Sequence, residues 1–526
     1  MDFGVLAAES NPSFSPNTSL LRMLYSPVHF LDWGVFWMDY LPEVFDRVAA
    51  SHAARVALIE ENTAWTFARL ADEANRIAAV LKERVKGEAV GVLLLNSQKY
   101  IATMLGVWKA GETAVPLNYL LPPAELGFIV KDSGMSGLVS SQFFNQALGA
   151  LKPLFGDSGI ILMADEPDFM ASSVSPLPSE YRDPALYLYT SGTTGRPKGV
   201  ILTHDNLLAN VDSCRRAGDF DSRYGFLCLL PFFHTYAITG TFLLPLLNGS
   251  KMVLVERFQP TKVLGLIQEH EISVFLAIPS MYRVLAGAEG NFDLSSVRFP
   301  ISGGEPLPPA VSEAFEKRFG VPIYEGYGQT EAAPVVTLNR PGARKPGTIG
   351  PPVPGVEVAI WDDRNGVLAA GEIGEIMVRG RNVMQGYRHL PEETAKTITD
   401  GWLHTGDLGT LDTDGFVSIT GRKKDLIISA GENIYPREIE DTLAQHPKVK
   451  EVAVIGVKDE VRGEVPKAFI IVREGMSVDE KELRSFCRSN LANYKVPKYF
   501  ELVADLPRTP TGKVLKRMLS AAATGS

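Results

Sequence analysis

Apolar positions along this chain follow two rhythms that change over, a helical spacing of three and four and short uninterrupted runs of strand length. From Tyr40 to about Ser179 the two alternate. Leu70, Ala74, Ile77 and Leu81 fall on one helix face, Ala89 to Leu95 reads as a buried strand, and Tyr100 to Ala110 as a helix closed by Gly111. Such alternation predicts a parallel sheet covered by helices. A second series starts at Ala185 and runs through strand Phe226 to Leu230, strand Lys251 to Val255, helix Thr261 to His270 and strand Ser273 to Ala277. It closes with a helix whose Val311, Ala314, Phe315 and Phe319 share one face, with Pro308 near its start and Gly320 as its stop. Two α/β units side by side leave a cleft at their strand ends, where ligands bind in such sheets.

After about Gly342 the texture becomes short strands punctuated by Gly and Pro (Val356 to Ile360, Gly374 to Val378, Phe416 to Thr420), the pattern of a small β-barrel. It changes again near Arg422. Helix Pro436 to Gln445, strands Glu451 to Val457 and Ala468 to Val472, and a helix opened by a capping box from Ser477 to Glu480, with Leu483, Phe486 and Cys487 inward, predict a separate α+β domain. The expected class is α/β: a large N-terminal domain of two βαβ-type sheet units plus a small β-barrel, and a smaller C-terminal α+β domain.

Length and charge narrow the function. A chain of 526 residues holds roughly three to four structural units. A net charge of −9 argues against nucleic acid as a partner, because that binding needs a basic face. Cys214, Cys228 and Cys487 lie far apart without CxxC spacing, so no zinc site or disulfide framework is expected, and a reducing, cytoplasmic setting is. No stretch reaches the ~20 apolar residues of a membrane span. A leader over residues 1–38 carries Phe30, Trp33, Phe36 and Trp37, which either pack on the following domain or touch a membrane surface peripherally.

The most informative run is Tyr189-Thr190-Ser191-Gly192-Thr193-Thr194-Gly195-Arg196-Pro197-Lys198-Gly199-Val200, read as a Gly-rich loop between a strand and helix-like Asp205 to Ala217. Its glycines admit close approach, its hydroxyls add donors, and Lys198 adds a compact charge, so it reads as a phosphate cradle. It departs from the common P-loop, in which Lys is followed by Ser or Thr; here Gly199 follows. Five further blocks carry chemistry. Pro231 to Ala237 contains His234, a residue that alone is as readily a core histidine. Ser302-Gly303-Gly304-Glu305 lets a flat ring lie on backbone. Tyr327-Gly328-Gln329-Thr330-Glu331 offers an aromatic for a base, a hydroxyl for phosphate and a carboxylate for Mg²⁺. Asp407, in Trp402 to Asp407, and Arg422 suit ribose hydroxyls. Pro507 to Lys513 places a lysine on a turn.

Six blocks in this order, covering about Tyr40 to Arg517, resemble the acyl-adenylate-forming (AMP-binding) enzymes, in wording closest to the acyl-CoA synthetase and fatty acid–CoA ligase branch. The resemblance implies ATP, Mg²⁺ and CoA, with the acid joined first to AMP and then to the CoA thiol. It implies Lys513, His234, Thr330 and Glu331 as catalytic residues. The nucleotide would be held by Thr190, Ser191, Gly192, Thr193, Thr194, Gly195, Lys198, Gly303, Gly304, Glu305, Tyr327, Gly328, Thr330, Asp407, Arg422 and Lys513, and Mg²⁺ by Glu331. It implies an N-terminal domain over 39–421, a hinge over 422–424 centred on Lys424, and a mobile C-terminal domain over 425–526 whose Ala430, Gly431 and Glu432 border a CoA tunnel.

The acyl pocket would be lined by Phe233, Tyr236, Gly240, Ser302, Gly303, Ala332 and Val336, mostly small or apolar. Amino-acid-activating relatives place an aspartate after the histidine; here Thr235 follows, which points to a hydrophobic acid. A medium- or long-chain fatty acid is the first expectation, an aryl or hydroxycinnamic acid the alternative, and a non-catalytic nucleotide binder the third. No long insertion follows Glu331, which favours CoA over a carrier protein, and the expected assembly is a monomer or homodimer.

Overall fold

A computed structural model describes residues 40–155, 160–165, 183–191, 196–508 and 514–524. Its first sheet has seven strands in the order Gly386–Tyr387, Pro197–Leu202, Leu186–Ser191, Thr113–Pro116, Ala89–Leu93, Gly137–Ser140, Ile160–Met163. The five from Leu186–Ser191 to Ile160–Met163 are parallel, and the last two at the other edge run antiparallel. The helix Phe67–Arg84 buries Leu70, Ala74, Ile77 and Leu81, as its spacing predicts, and Thr66 caps it by accepting from the Arg69 amide. The neighbouring helix Gln98–Lys109 is capped by Ser97 in the same way and is buried along nearly its whole length.

The second sheet has eight strands, Val335–Leu338, Tyr324–Gly328, Phe299–Ser302, Val274–Ala277, Gly225–Cys228, Lys251–Leu254, Val56–Glu60 and Thr63–Thr66. Two expectations change here. The strand at Ala185 was to open the second series, but it pairs with Thr113–Pro116 and extends the first sheet. Conversely, Val56–Glu60, early in the chain, pairs in parallel with Lys251–Leu254 at the far side of the second. Local pattern marks a strand but not its partner. The closing helix spans Pro309–Phe319 with Gly320 left-handed after it, and it buries Val311 and Phe315. Ala314, expected on that face, is exposed.

The segment expected as a small β-barrel forms a five-stranded antiparallel sheet of Val356–Trp361, Gly374–Gly380, Trp402–Leu411, Ile398–Thr399 and Val417–Arg422. Trp402–Leu411 is its centre, sharing one edge between Ile398–Thr399 and Val417–Arg422. Backbone bonds from Ile349 to Val417 (2.9 Å) and from Val417 to Gly350 (3.1 Å) tie this sheet to the end of the second one.

Beyond Arg422 a further five-stranded sheet carries the helices Pro436–Ala444, Glu480–Asn490 and Lys516–Thr524. Ile439, Leu443, Ile470, Leu483 and Cys487 pack one of its cores, and Phe469, Leu506 and Leu519 the other. Its central hairpin, Val449–Asp459 with Gly463–Val472, is longer than the apolar runs suggested, because the ladder continues through polar Lys458 and Glu464. The helix expected to open on a Ser477–Glu480 box starts at Glu480 instead. Asp479, the residue directly before the first turn, is its cap, accepting from the Glu482 amide at 2.8 Å. Phe486 is only half-buried, against His446. Among the described residues no helix is long and apolar enough to cross a membrane.

Candidate functional site

The Gly-rich run is the turn of a β-hairpin and not the strand-to-helix junction expected of it. Thr190 stands opposite Lys198 and Ser191 opposite Pro197, and the helix His204–Gly218 begins only after the second strand. Val200, Ile201 and Leu202 continue the apolar strand pattern past the loop, and that pattern sets the ladder. Gly192, Thr193, Thr194 and Gly195 lie outside the described residues. Among the described residues beside the turn, side chains carry the positive charge. Lys198 supplies it: its Nζ donates to Glu393 Oε2 at 2.7 Å and lies 5.1 Å from the centre of the Tyr387 ring.

Tyr387 joins this lysine to the acid expected to meet magnesium. Its hydroxyl donates to Glu331 Oε1 at 2.8 Å, and Gly386–Tyr387 pairs with Ile201 and Val200 on the lysine's own strand. Glu331 and Thr330 sit in one 3₁₀ turn, Thr330–Ala332, directly after the strand Tyr324–Gly328. The turn is tight enough to require glycine before it, since a β-carbon on Gly328 would stand 1.9 Å from the Pro334 carbonyl oxygen. The Thr235 hydroxyl donates to that of Thr330 at 3.2 Å, bringing the His234 block against this turn. His234 is half-buried with its ring centre 4.5 Å from that of Phe233.

Another cluster gathers around Asp407, a carboxylate only 7% exposed. Tyr327, eighty positions earlier, donates its hydroxyl to Asp407 Oδ2 at 2.7 Å, and Gln329 Nε2 donates to the same hydroxyl at 2.9 Å. Arg422, the cross-strand partner of Asp407, brings its Nε to 3.1 Å from Oδ1. Burial foremost, with the Asp407 charge beside it, pushes the Tyr327 phenol well above its ordinary range, so it stays a donor. The result is an oriented carboxylate next to an aromatic ring, a combination that suits a sugar with a base attached.

The Ser302 to Glu305 turn ends the strand Phe299–Ser302, which pairs in parallel with Tyr324–Gly328. Gly303 is buried, while Gly304 is exposed with φ at +83°, a conformation side chains rarely adopt. The Ser302 hydroxyl is buried without a hydrogen-bond partner among the described residues. Phe233, Ala332 and Val336 are buried nearby candidates for an apolar pocket, and the Tyr236 hydroxyl donates to the Ile301 carbonyl at 3.3 Å.

Lys513 lies outside the described residues, but its flanks do not. Arg508 and Val514, on either side of the undescribed residues, form an antiparallel bridge. Arg508 donates to Glu451 at 2.7 Å, and its guanidinium is held above its usual range by Glu451 first and by Asp505 and Glu305 after it. Glu305 belongs to the turn just described. Lys424 is in the single 3₁₀ turn Lys423–Asp425 that follows the Arg422 strand, and Lys423 is tied to Asp363 (2.9 Å) and Glu375 (3.1 Å). Ala430 (φ +51°) and Gly431 (φ +87°) are the corners of a two-residue hairpin turn between Ser429 and Glu432, all three of Ala430, Gly431 and Glu432 being exposed.

Magnesium can be tested against the donor set. Among the described residues no three His, Cys, Asp or Glu side chains converge as a ready cage. A single carboxylate, Glu331, beside a lysine-bearing hairpin is nonetheless the set that Mg²⁺ uses when it arrives bound to phosphates, since it keeps waters and takes only one or two protein ligands.

Sequence reasoning missed Tyr387 and Glu393 and gave Gln329 no role within its block, yet all three organise the predicted residues. The only signal for the first two was an aromatic and an acid flanking Pro391, at the start of the helix Pro391–Thr397. It also missed Glu325, whose Oε1 accepts from the Leu307 amide at 3.1 Å and whose carboxyl is raised to about 7, chiefly by burial, against lowering by that amide and by Arg437 of the C-terminal region. A carboxyl raised in the folded state favours folding fully below its unfolded value near 4.5 and loses that contribution as pH climbs to about 7. Glu325→Gln is therefore expected to match the parent at pH 4.5 and exceed it by roughly 3 kcal/mol at most above pH 8, read as thermal midpoints across pH. Parallel curves for the two proteins would contradict this.

Residues 45–388 match the family profile described as AMP-binding enzyme, and residues 438–513 the AMP-binding enzyme C-terminal domain. Among curated relatives, a long-chain-fatty-acid–CoA ligase of Bacillus subtilis is 36% identical over 91% of this chain and 94% of its own. A feruloyl-CoA synthase of Amycolatopsis is 38% identical over 86% of this chain and 93% of its own. Among solved structures, ATP-bound MatB from Rhodopseudomonas palustris superposes with a TM-score of 0.85 at 31% identity, covering 91% of this chain and 98% of that one.

Proposed function

The chain belongs to the AMP-binding enzyme family, among its CoA ligases, and from that premise we propose that it activates a hydrophobic carboxylic acid, a fatty acid in the first reading, as acyl-AMP and passes it to CoA. The observation that carries the reading is the meeting of Tyr327, Asp407 and Arg422 on one side and Lys198, Tyr387 and Glu331 on the other, from segments far apart in sequence.

A carboxylate resists attack because oxide is a poor leaving group, and a mixed anhydride with AMP replaces it with a good one. In the first step an oxygen of the acid attacks the α-phosphorus of ATP and pyrophosphate leaves. Asp407 accepts from the ribose hydroxyls, with Tyr327 and Arg422 holding its two oxygens in place. Lys198 exchanges Glu393 for phosphate oxygens, and the hydroxyls of Thr190, Ser191, Thr193, Thr194 and Thr330 add donors. Magnesium bound at Glu331 would neutralise charge on the phosphates. Gly303, Gly304, Glu305 and Gly328 shape the wall for the base, and Lys513 meets the negative charge that builds on the α-phosphate and pyrophosphate.

In the second step the CoA sulfur attacks the acyl carbon and AMP departs. The two steps need different neighbours around one carbonyl. Rotation of the C-terminal domain about Lys424 would withdraw Lys513 and bring Ala430, Gly431 and Glu432 to the entry of the thiol, past His234.

Acid-dependent exchange of labelled pyrophosphate into ATP is the test, with CoA-dependent AMP release as its second arm. Exchange driven by hexanoate or a longer acid is expected; release of ADP, or exchange with no acid tried, would refute the reading. An aryl acid is a second reading, favoured by the likeness to a feruloyl-CoA synthase.

A further inference from the structure

We propose that Leu276 and Tyr236 close the floor of the acyl pocket, Leu276 being the residue that sets how long an acid this chain accepts. The inference rests on the ligase reading and adds the shape of the substrate: a compact acid of short chain or single ring.

At Gly240 and Gly303, both expected to line the pocket, the space that the missing side chain leaves is taken by a neighbour. Tyr236 and Gly240 are four positions apart on the continuous helical stretch from Thr235 to Leu247 and so share one side of it. That side lies on the strands Val274–Ala277 and Phe299–Ser302, in which Leu276 and Ile301 are direct partners. A β-carbon on Gly240 would stand 2.4 Å from Leu276 Cδ2, so the tip of the leucine already sits in the notch that glycine leaves. One strand over, a β-carbon on Gly303 would stand 3.0 Å from Cζ of Tyr236, whose hydroxyl is tethered to the Ile301 carbonyl.

The helix-to-sheet seam is therefore packed shut at both glycines, and Leu276 is itself only 4% exposed. An acyl chain that reaches this seam must displace the leucine's isobutyl group or stop. The tyrosine is held by a hydrogen bond to backbone, whereas the leucine is held only by packing, which makes it the position where a change of size converts most directly into a change of substrate length. Close-packed pockets discriminate at about tenfold or more for a methylene that does not fit.

The test is the rate of acid-dependent pyrophosphate exchange with hexanoate, decanoate, hexadecanoate and benzoate. The parent is expected to favour hexanoate or benzoate over hexadecanoate by about tenfold or more in kcat/KM. Leu276→Ala should raise the ratio of the decanoate or hexadecanoate rate to the hexanoate rate by about the same factor, and Gly240→Ala, which presses the leucine further in, should lower it. Leu276→Val, a smaller change to the core, gives the same comparison if the alanine variant does not fold. Equal use of hexanoate and hexadecanoate by the parent, or an unchanged ratio in both leucine variants, overturns the proposal while leaving the ligase intact. Absence of exchange with every acid overturns the ligase reading instead.

Discussion

Replacing Lys513 with alanine is expected to slow adenylate formation by about 10²–10³-fold, the usual effect of deleting one preorganised charge at a developing anion. Thioester formation from chemically prepared acyl-AMP and CoA should persist at close to the parent rate. The asymmetry follows from where the charge develops: pyrophosphate departure loads negative charge onto phosphate oxygens, whereas thiol attack releases AMP that is already an anion. The placement of the flanks supports the assignment. Arg508 and Val514 are bridged, and Arg508 lies within the field of Glu305, at the turn beside the candidate base wall. Stopped assays of the two half-reactions check the point, and equal loss in both would show that Lys513 acts on folding or domain position and not on the phosphate.

Asp407→Ala should raise the KM for ATP about a hundredfold or more with a smaller change in kcat. Two hydrogen bonds to a charged acceptor are lost, each contributing about 1.5 kcal/mol or more, and Tyr327 and Arg422 lose the group that orients them. Asp407→Asn keeps an acceptor of the same shape and should fall between the two. Calorimetric titration with a non-hydrolysable ATP analogue separates binding from turnover. An unchanged affinity in the alanine variant would remove the ribose from this carboxylate.

Much of the candidate site is legible in the sequence, for a physical reason. Glycines, a proline and hydroxyls at fixed offsets leave marks in a local string of residues, and Thr190 to Lys198, Tyr327 to Glu331 and Trp402 to Asp407 are such strings. What escaped was whatever depends on a distant partner. Pro197–Leu202 looks like a continuation of a loop until its ladder with Leu186–Ser191 is seen. Glu393 looks like one more exposed acid at a helix start until Lys198 is found 2.7 Å away. Tyr387 has no feature in sequence that predicts a bond to Glu331. Helix faces fared better than helix ends: Leu70 to Leu81 point inward as spaced, whereas the cap is at Asp479 and not at Ser477, two residues that serve a helix start about equally well and that pattern alone does not separate.

The interleaving of the two large sheets bears on how the protein is made. A ribosome delivers Val56–Glu60 long before its partner Lys251–Leu254, and Pro197–Leu202 long before Gly386–Tyr387. Loop closure over such separations is slow, so neither sheet can be completed while the chain is still emerging through its first half. Apolar edges at Leu58 and Val200 must then wait without cover, and the nascent protein is most exposed to clumping or to chaperone capture in the interval before residue 387 leaves the tunnel.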